Sequence, residues 1–191
     1  MNVEQVRALC SQTHGLIELD DELALLHRLA SALQPGQVYF EIGTAGGRSA
    51  LTAALSAQEG VEIWTIDIGG RKEDVRAHVK YIKRVYERFA RYDVLHKVRF
   101  CPLASAEMPW DDKPINVLFI DGGHSPAAVG ADVERWTPFV PVGGVVAFHD
   151  AVKGPWAYYK GALAAVKRLL DTGDWTQEQS ARSIAVLKRI K

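Results

Sequence analysis

A three-layer α/β sandwich is the fold class this sequence predicts, built on a seven-stranded, mostly parallel, doubly wound sheet with a C-terminal antiparallel hairpin. Three observations predict it. Short apolar runs alternate with helix-length segments from Val38 onward, the pattern of successive strand–helix units. Two of these runs, Val117–Ile120 and Val145–Phe148, each lead into an acid and a histidine: Asp121-Gly122-Gly123-His124 and His149-Asp150. A helix-like stretch and the turn Pro141–Gly144 lie between them, which makes a crossover unit with parallel strands and right-handed connection. The last two strand-like segments, Trp175–Glu178 and Ile184–Lys188, are too close together to hold a crossover helix and so pair antiparallel.

The elements follow in order. Asp20 and Asp21 open a helix whose Leu23, Leu25, Leu26, Leu29, Ala30 and Leu33 form a broad apolar stripe, ended by Pro35-Gly36. Val38–Ile42 reads as the first strand, and Gly43 begins a loop into a second helix over Ser49–Ala57. Val61–Asp67 alternates as a strand ending in an acid. Asp74–Arg91 is a charged helix whose Val75, Val79, Ile82 and Val85 predict one packed face. Val98–Cys101, Ile115–Ile120 and Val145–Phe148 are the third, fourth and fifth strands. Ser125–Val140 and Gly161–Leu170 are the helices that follow the fourth and fifth. The whole of 1–191 reads as one domain, with 1–20 as an N-terminal extension or lid and 21–191 as the core. Met1–Leu19 fits either an amphipathic lid or the arm of a homodimer.

Composition bounds the function. Lys plus Arg and Asp plus Glu each number 23 in 191 residues, so the formal net charge is zero. No polyanionic partner is predicted, neither nucleic acid nor membrane surface. No apolar run approaches the length of a membrane span. The N-terminus has no basic segment followed by an apolar core, so no secretory signal is read. Cys10 and Cys101 have no metal or redox spacing and imply no disulfide framework, which fits a reducing, cytoplasmic setting.

Parallel strands place the ends of the Asp121 and His149 segments on one edge, about 4.8 Å apart per strand. Open α/β sheets bind their ligands at that edge. The loop Glu41-Ile-Gly43-Thr44-Ala45-Gly46-Gly47-Arg-Ser49 joins it from the first strand. Its spacing is not that of a dinucleotide loop, because Ala45 stands at the second glycine position. Glu41 would repel a pyrophosphate and suits a ligand bearing an ammonium and a sulfonium. Asp67 suits bidentate bonding to a ribose diol. Together they point to S-adenosylmethionine rather than NAD. A hydroxyl acceptor then needs its proton removed, and an imidazole at His124 suits a general base.

These segments, with Phe119-Ile-Asp-Gly-Gly-His124 and Gly143-Gly-Val-Val-Ala-Phe-His-Asp150, resemble the class I S-adenosylmethionine-dependent methyltransferases. Within them they are similar to the small-molecule O-methyltransferase group that includes macrolide-sugar and cephamycin-pathway members. The resemblance runs from about Glu22 to the C-terminus. It implies a Rossmann-like methyltransferase fold and a small-molecule acceptor. It also implies that Gly43 and Gly47 shape the methionine pocket, Glu41 supports it, Asp67 holds the ribose and Ser105 meets the adenine. Thr44, Ser49 and Asp121 complete the expected cofactor-binding set, and His124 with Asp121 the catalytic one. Relatives resembling catechol O-methyltransferase hold a metal with an acid after the fourth strand and an acidic or amide pair after the fifth. Asp121 and Asp150 match those positions, while His149 departs from them. A metal set of Asp121, His149 and Asp150 therefore stands beside a metal-free hydrogen-bonded pair, with Mg²⁺ weakened and Mn²⁺ or Zn²⁺ admitted. Two other readings remain, an NAD(P)-binding oxidoreductase and a non-catalytic nucleoside-cofactor-binding module. Glu41 and Ala45 argue against the first.

Overall fold

Helices α1 (Val3–Cys10) and α2 (Asp21–Ser31) lead into strand β1 (Val38–Ile42), helix α3 (Arg48–Ser56) and strand β2 (Glu62–Ile66). Helix α4 (Val75–Arg91), strands β3 (Val98–Cys101) and β4 (Val117–Ile120), helix α5 (Pro126–Trp136) and strand β5 (Val145–Phe148) follow. Helix α6 (Tyr159–Asp171) and strands β6 (Trp175–Gln177) and β7 (Ala185–Arg189) end the fold. The computed structural model describes residues 1–15, 17–69, 74–152 and 159–191. The strand order is β3-β2-β1-β4-β5-β7-β6, with the β5–β7 and β7–β6 pairings antiparallel and every other pairing parallel. This is the expected sandwich.

The order reverses between β1 and β4, the switch point at whose carboxyl ends sheets of this kind have their ligand crevice. Both faces of the sheet are covered. On one side Tyr39, Ile63, Phe119 and Ala147 pack against α1, α2, α3 and the Val85 and Phe89 side of α4. On the other, Phe40, Leu118, Val146 and Phe148 pack against α5 and α6 through Trp136, Val133 and Leu169. Strand β1 is buried at every position, as a central parallel strand must be.

Several local details match their physical causes. Asp74 caps α4 by accepting from the Ala77 amide at 3.0 Å, and Ser125 caps α5 before Pro126, where a missing N–H costs nothing. The sequence did not suggest α1. Its Val6 and Cys10 are wholly buried, and Cys10 Sγ lies 3.4 Å from Thr52 Oγ1 of α3. Helix α4 also differs from expectation: Val75 and Val79 are 66% and 57% exposed, and only Val85 and Phe89 are buried. The packed stripe runs through Tyr81, Ile82, Val85 and Phe89, the first two partly buried against the core.

Backbone hydrogen bonds continue past the strand ends. The Gly43 amide donates to Ile66 O and the Asp121 amide to Ile42 O, both at 2.8 Å; the His149 amide donates to Ile120 O at 3.1 Å. Gly43, Asp67, Asp121 and His149 thus stand side by side. Gly43 has φ +101°, and a Cβ there would lie 2.2 Å from the Asp121 carbonyl oxygen. Gly43→Ala is expected to cost at least ~1–3 kcal/mol of stability from backbone strain alone, read from urea unfolding. Gly130, inside α5, has open space around the equivalent position, so Gly130→Ala should stabilise by about 0.5–1 kcal/mol. Equal effects of the two would contradict the packing described.

Candidate active site

The crevice forms a cleft of about 450 Å³ whose lining includes Gly43, Asp67, Ile68, Ser105, Asp121 and His124. A larger groove of about 560 Å³ lies at the opposite end of the strands, beside Arg28, Asn116 and Lys188. It lacks the acid–histidine cluster, whose Asp121 and His124 line the smaller cleft instead.

The glycine loop builds one wall. Asp67 accepts from the Ala45 amide through Oδ2 and from the Gly69 amide through Oδ1, each at 2.8 Å. It is thereby held at the mouth with lone pairs left for a diol. Gly47, at φ +81°, caps α3 without a side-chain hydrogen bond, which leaves first-turn amides for other partners. Thr44, Ser49 and Glu41 sit beneath the loop rather than in the cleft. Thr44 Oγ1 meets Thr65 Oγ1 at 2.6 Å, and Thr65 Oγ1 donates to Glu41 Oε1 at 2.8 Å. Glu41 is fully buried, and its Oε2 has no hydrogen-bond partner. Burial, aided by the charges of Asp121 and Asp67, pushes its carboxyl up to about 8 despite hydrogen bonds from Thr65 and Ser49.

Two supports were not legible in the motifs. Ser105, on the far wall, donates to the buried Asp132 of α5, and its carbonyl accepts from Arg135 Nε at 3.0 Å. Arg48, the first residue of α3, donates to Thr13 O and Ile17 O and straps the segment after α1 over the loop. A charged residue opening a helix gave only a weak hint of that contact.

At the other wall four predicted residues converge, joined by a fifth. His149 is 9% exposed; its Nδ1 lies 3.0 Å from Asp121 Oδ1 and 3.5 Å from Asp150 Oδ2. Asp150 Oδ2 also lies 3.4 Å from His124 Nδ1. Asp150 adopts φ +53°, a conformation strained for a non-glycine residue, which turns its carboxylate between the two rings. The addition is Glu22 of α2, whose Oε2 is 3.3 Å from His149 Nε2. Burial alone would depress the His149 imidazole, but Asp121 and Glu22 outweigh it and lift it to about 10. Burial would raise Glu22, yet His149, the Glu18 amide and Ser183 hold it down at about 2. Burial raises Asp121. Lys153, Gly154, Trp156 and Tyr158, which follow this edge in the chain, and Arg71, which precedes α4, lie outside the described residues; Tyr159 begins α6.

The methyltransferase domain family matches residues 40–151, more than half the chain. The chain belongs to that family. It is an S-adenosylmethionine-dependent methyltransferase. Solved structures similar to this methyltransferase include a Staphylococcus aureus protein provisionally named a caffeoyl-CoA O-methyltransferase (18% identity, TM-score 0.71, 99% of this chain and 92% of that one). The O-methyltransferase TomG of Streptomyces achromogenes, solved in complex with SAM, is similar at 17% identity and TM-score 0.70, over 99% of this chain and 89% of its own. An rRNA methylase of Streptococcus thermophilus shares 10% identity at TM-score 0.64, over 93% of this chain and 100% of its own. At these identities the likeness establishes the Rossmann-like methyltransferase fold.

The electrostatics of this methyltransferase give a signed expectation. An imidazole raised from 6.5 to about 10 contributes stability that is fully present below pH 6.5 and lost as pH rises through 10. A carboxyl raised from 4.5 to about 8 likewise makes stability fall as pH rises from 4.5 to 8. Urea midpoints of chelator-treated protein should therefore decline up to pH 10. His149→Gln should flatten the decline above pH 8 and leave the lower part. Identical profiles above pH 8 would show that the imidazole is not held charged.

Proposed function

We propose that the acceptor is a hydroxyl of a small molecule, bound where the Asp121, His124 and Asp150 wall faces the glycine loop. The observation that carries this reading is His124, which lines the same cleft as Asp67 and lies 3.4 Å from Asp150. S-adenosylmethionine, when bound, would supply a sulfonium methyl group, the acceptor oxygen forming a bond to its carbon as the carbon–sulfur bond breaks and sulfur leaves as a neutral thioether. Asp67 holds the ribose hydroxyls, Gly43 lets the backbone approach, and Ser105 borders the adenine. Glu41 and Ser49 support the loop with Thr44 from beneath, and Gly47 shapes its turn into α3. His124 takes the acceptor's proton at Nε2 while Asp150 orients the ring and stabilises the imidazolium.

The donor set Asp121, His149 and Asp150 also fits a divalent ion: one atom from each lies within 4.8 Å of the others. Two of these atoms, Asp121 Oδ1 and His149 Nδ1, are buried without hydrogen-bond partners. Such an ion would lower the acceptor hydroxyl's pKa and orient it. Free Cys10 and Cys101 support a cytoplasmic setting, and no described helix is long and apolar enough to cross a membrane. A second reading, an RNA acceptor, rests on α4, which carries Arg76, Lys80, Lys83, Arg84, Arg88 and Arg91 against Glu87 alone. Salt-dependent RNA binding would favour it.

S-adenosylhomocysteine should stabilise the protein against heat, and Asp67→Ala should weaken its binding roughly ten- to a hundredfold, as loss of charge-assisted hydrogen bonds implies. No thermal shift at saturating ligand would sink the assignment. With an acceptor in hand, His124→Ala should lower turnover by about 10²–10⁴-fold without changing S-adenosylhomocysteine affinity; unchanged turnover removes His124 from the chemistry.

A further inference from the structure

Glu22 lies outside the segment that matches the family, 127 residues before His149 in the chain. Its carboxylate is nevertheless the group behind the imidazole. It is 2% exposed. Oε2 accepts from the Glu18 amide at 2.8 Å and faces His149 Nε2, while Oε1 accepts from the Ser183 amide at 3.1 Å and from the Ser183 hydroxyl. Contacts on both oxygens, from three parts of the chain, fix its position.

An ionised carboxylate can only accept. Its place beside Nε2 therefore puts a ring proton on that nitrogen and turns Nδ1 toward Asp121 Oδ1 and Asp150 Oδ2. Nδ1 lies 3.0 Å from Asp121 Oδ1 and 3.5 Å from Asp150 Oδ2, and Nδ1 and Asp121 Oδ1 are both buried without a hydrogen bond. Without a metal this point calls for a proton on Nδ1; a divalent ion would take that proton's place and use both atoms as donors. The third donor, Asp150, is brought to the same place by its left-handed backbone conformation.

We propose that Glu22 is a positioning residue that fixes His149 as an Nδ1 donor to a divalent ion of borderline softness, shared with Asp121 and Asp150. The proposal rests on the acceptor-site reading above and deepens it. A carboxylate behind a metal-bound histidine sets the tautomer and ring orientation and raises donor strength. An imidazole among two carboxylates suits Mn²⁺ or Zn²⁺ better than an ion seeking only oxygen. Helix α2 thus takes part in the site from outside the strand-edge motifs.

The test is Mn²⁺ titration, followed by the electron-paramagnetic-resonance signal of the free ion, on protein saturated with S-adenosylhomocysteine. The wild type is expected to bind, and Glu22→Gln to bind ten- to a hundredfold more weakly (about the size reported for such supports), with S-adenosylhomocysteine affinity unchanged. Where the glutamine variant fails to fold, Glu22→Asp, which withdraws the charge from the ring, carries the same expectation. In a His149→Asp background, where no imidazole remains to be oriented, adding Glu22→Gln should leave Mn²⁺ affinity within about twofold. Wild-type protein that binds S-adenosylhomocysteine but no Mn²⁺ overturns the proposal and leaves the methyltransferase assignment standing; the cluster is then an imidazolium held between carboxylates. An unchanged affinity in Glu22→Gln, or an equal loss in both backgrounds, also overturns it, the latter because Glu22 would then act through the fold. Failure to bind S-adenosylhomocysteine at all would remove the donor-site reading and this proposal together.

Discussion

The close passage of two backbones at the switch between β1 and β4 governs the rest of this structure. Gly43 leaves β1 in a left-handed conformation, directly against the Asp121 carbonyl. A side chain there would push the two outgoing loops apart at the place where donor and acceptor must meet. Because the loops instead remain in contact, Asp67 and Asp121 line one cleft from strands on either side of β1. Near-attack geometry for methyl transfer depends on fixing two ligands within a few ångströms. Here that tolerance is set by main chain rather than by mobile side chains.

The price of this arrangement is buried charge. Glu22, Glu41, Asp121 and His149 all occupy the sheet face that also carries Tyr39, Phe119 and Ala147. Burying an ion costs several kcal/mol unless it is paired and hydrogen-bonded. Three of the four solve the problem as a linked series, Glu22–His149–Asp121. Glu41 solves it differently: its carboxyl is raised to about 8 and stays protonated at neutral pH. The same face is both core and site, so stability and chemistry share residues.

Much of this was legible in the sequence because it is local. Strand–helix alternation, the glycine loop and the acids at strand ends are written in contiguous residues, and the topology follows from the crossover rule. The acid–histidine segments converge because neighbouring parallel strands end together. What escaped notice depends on distant contacts. Glu22 sits in an ordinary helix-opening acidic pair, and only the folded chain brings it to His149. Asp132 reads as a helix surface acid until Ser105 folds over it. Helix α1 is too short and polar to announce itself, and Arg48 finds its acceptors in the backbone of a segment without pattern. The apolar spacing of α4 was real, but periodicity reports a stripe without saying how much of it meets the sheet.

The position of β7 has a consequence for biogenesis. It lies between β5 and β6, yet it is made after both. While the chain is being synthesised, β5, the strand that presents His149, is an unprotected border with open amides and carbonyls. Such borders recruit foreign strands. Helix α6 intervenes before β7 appears, so the nascent sheet must wait through a whole helix before its flank is sealed.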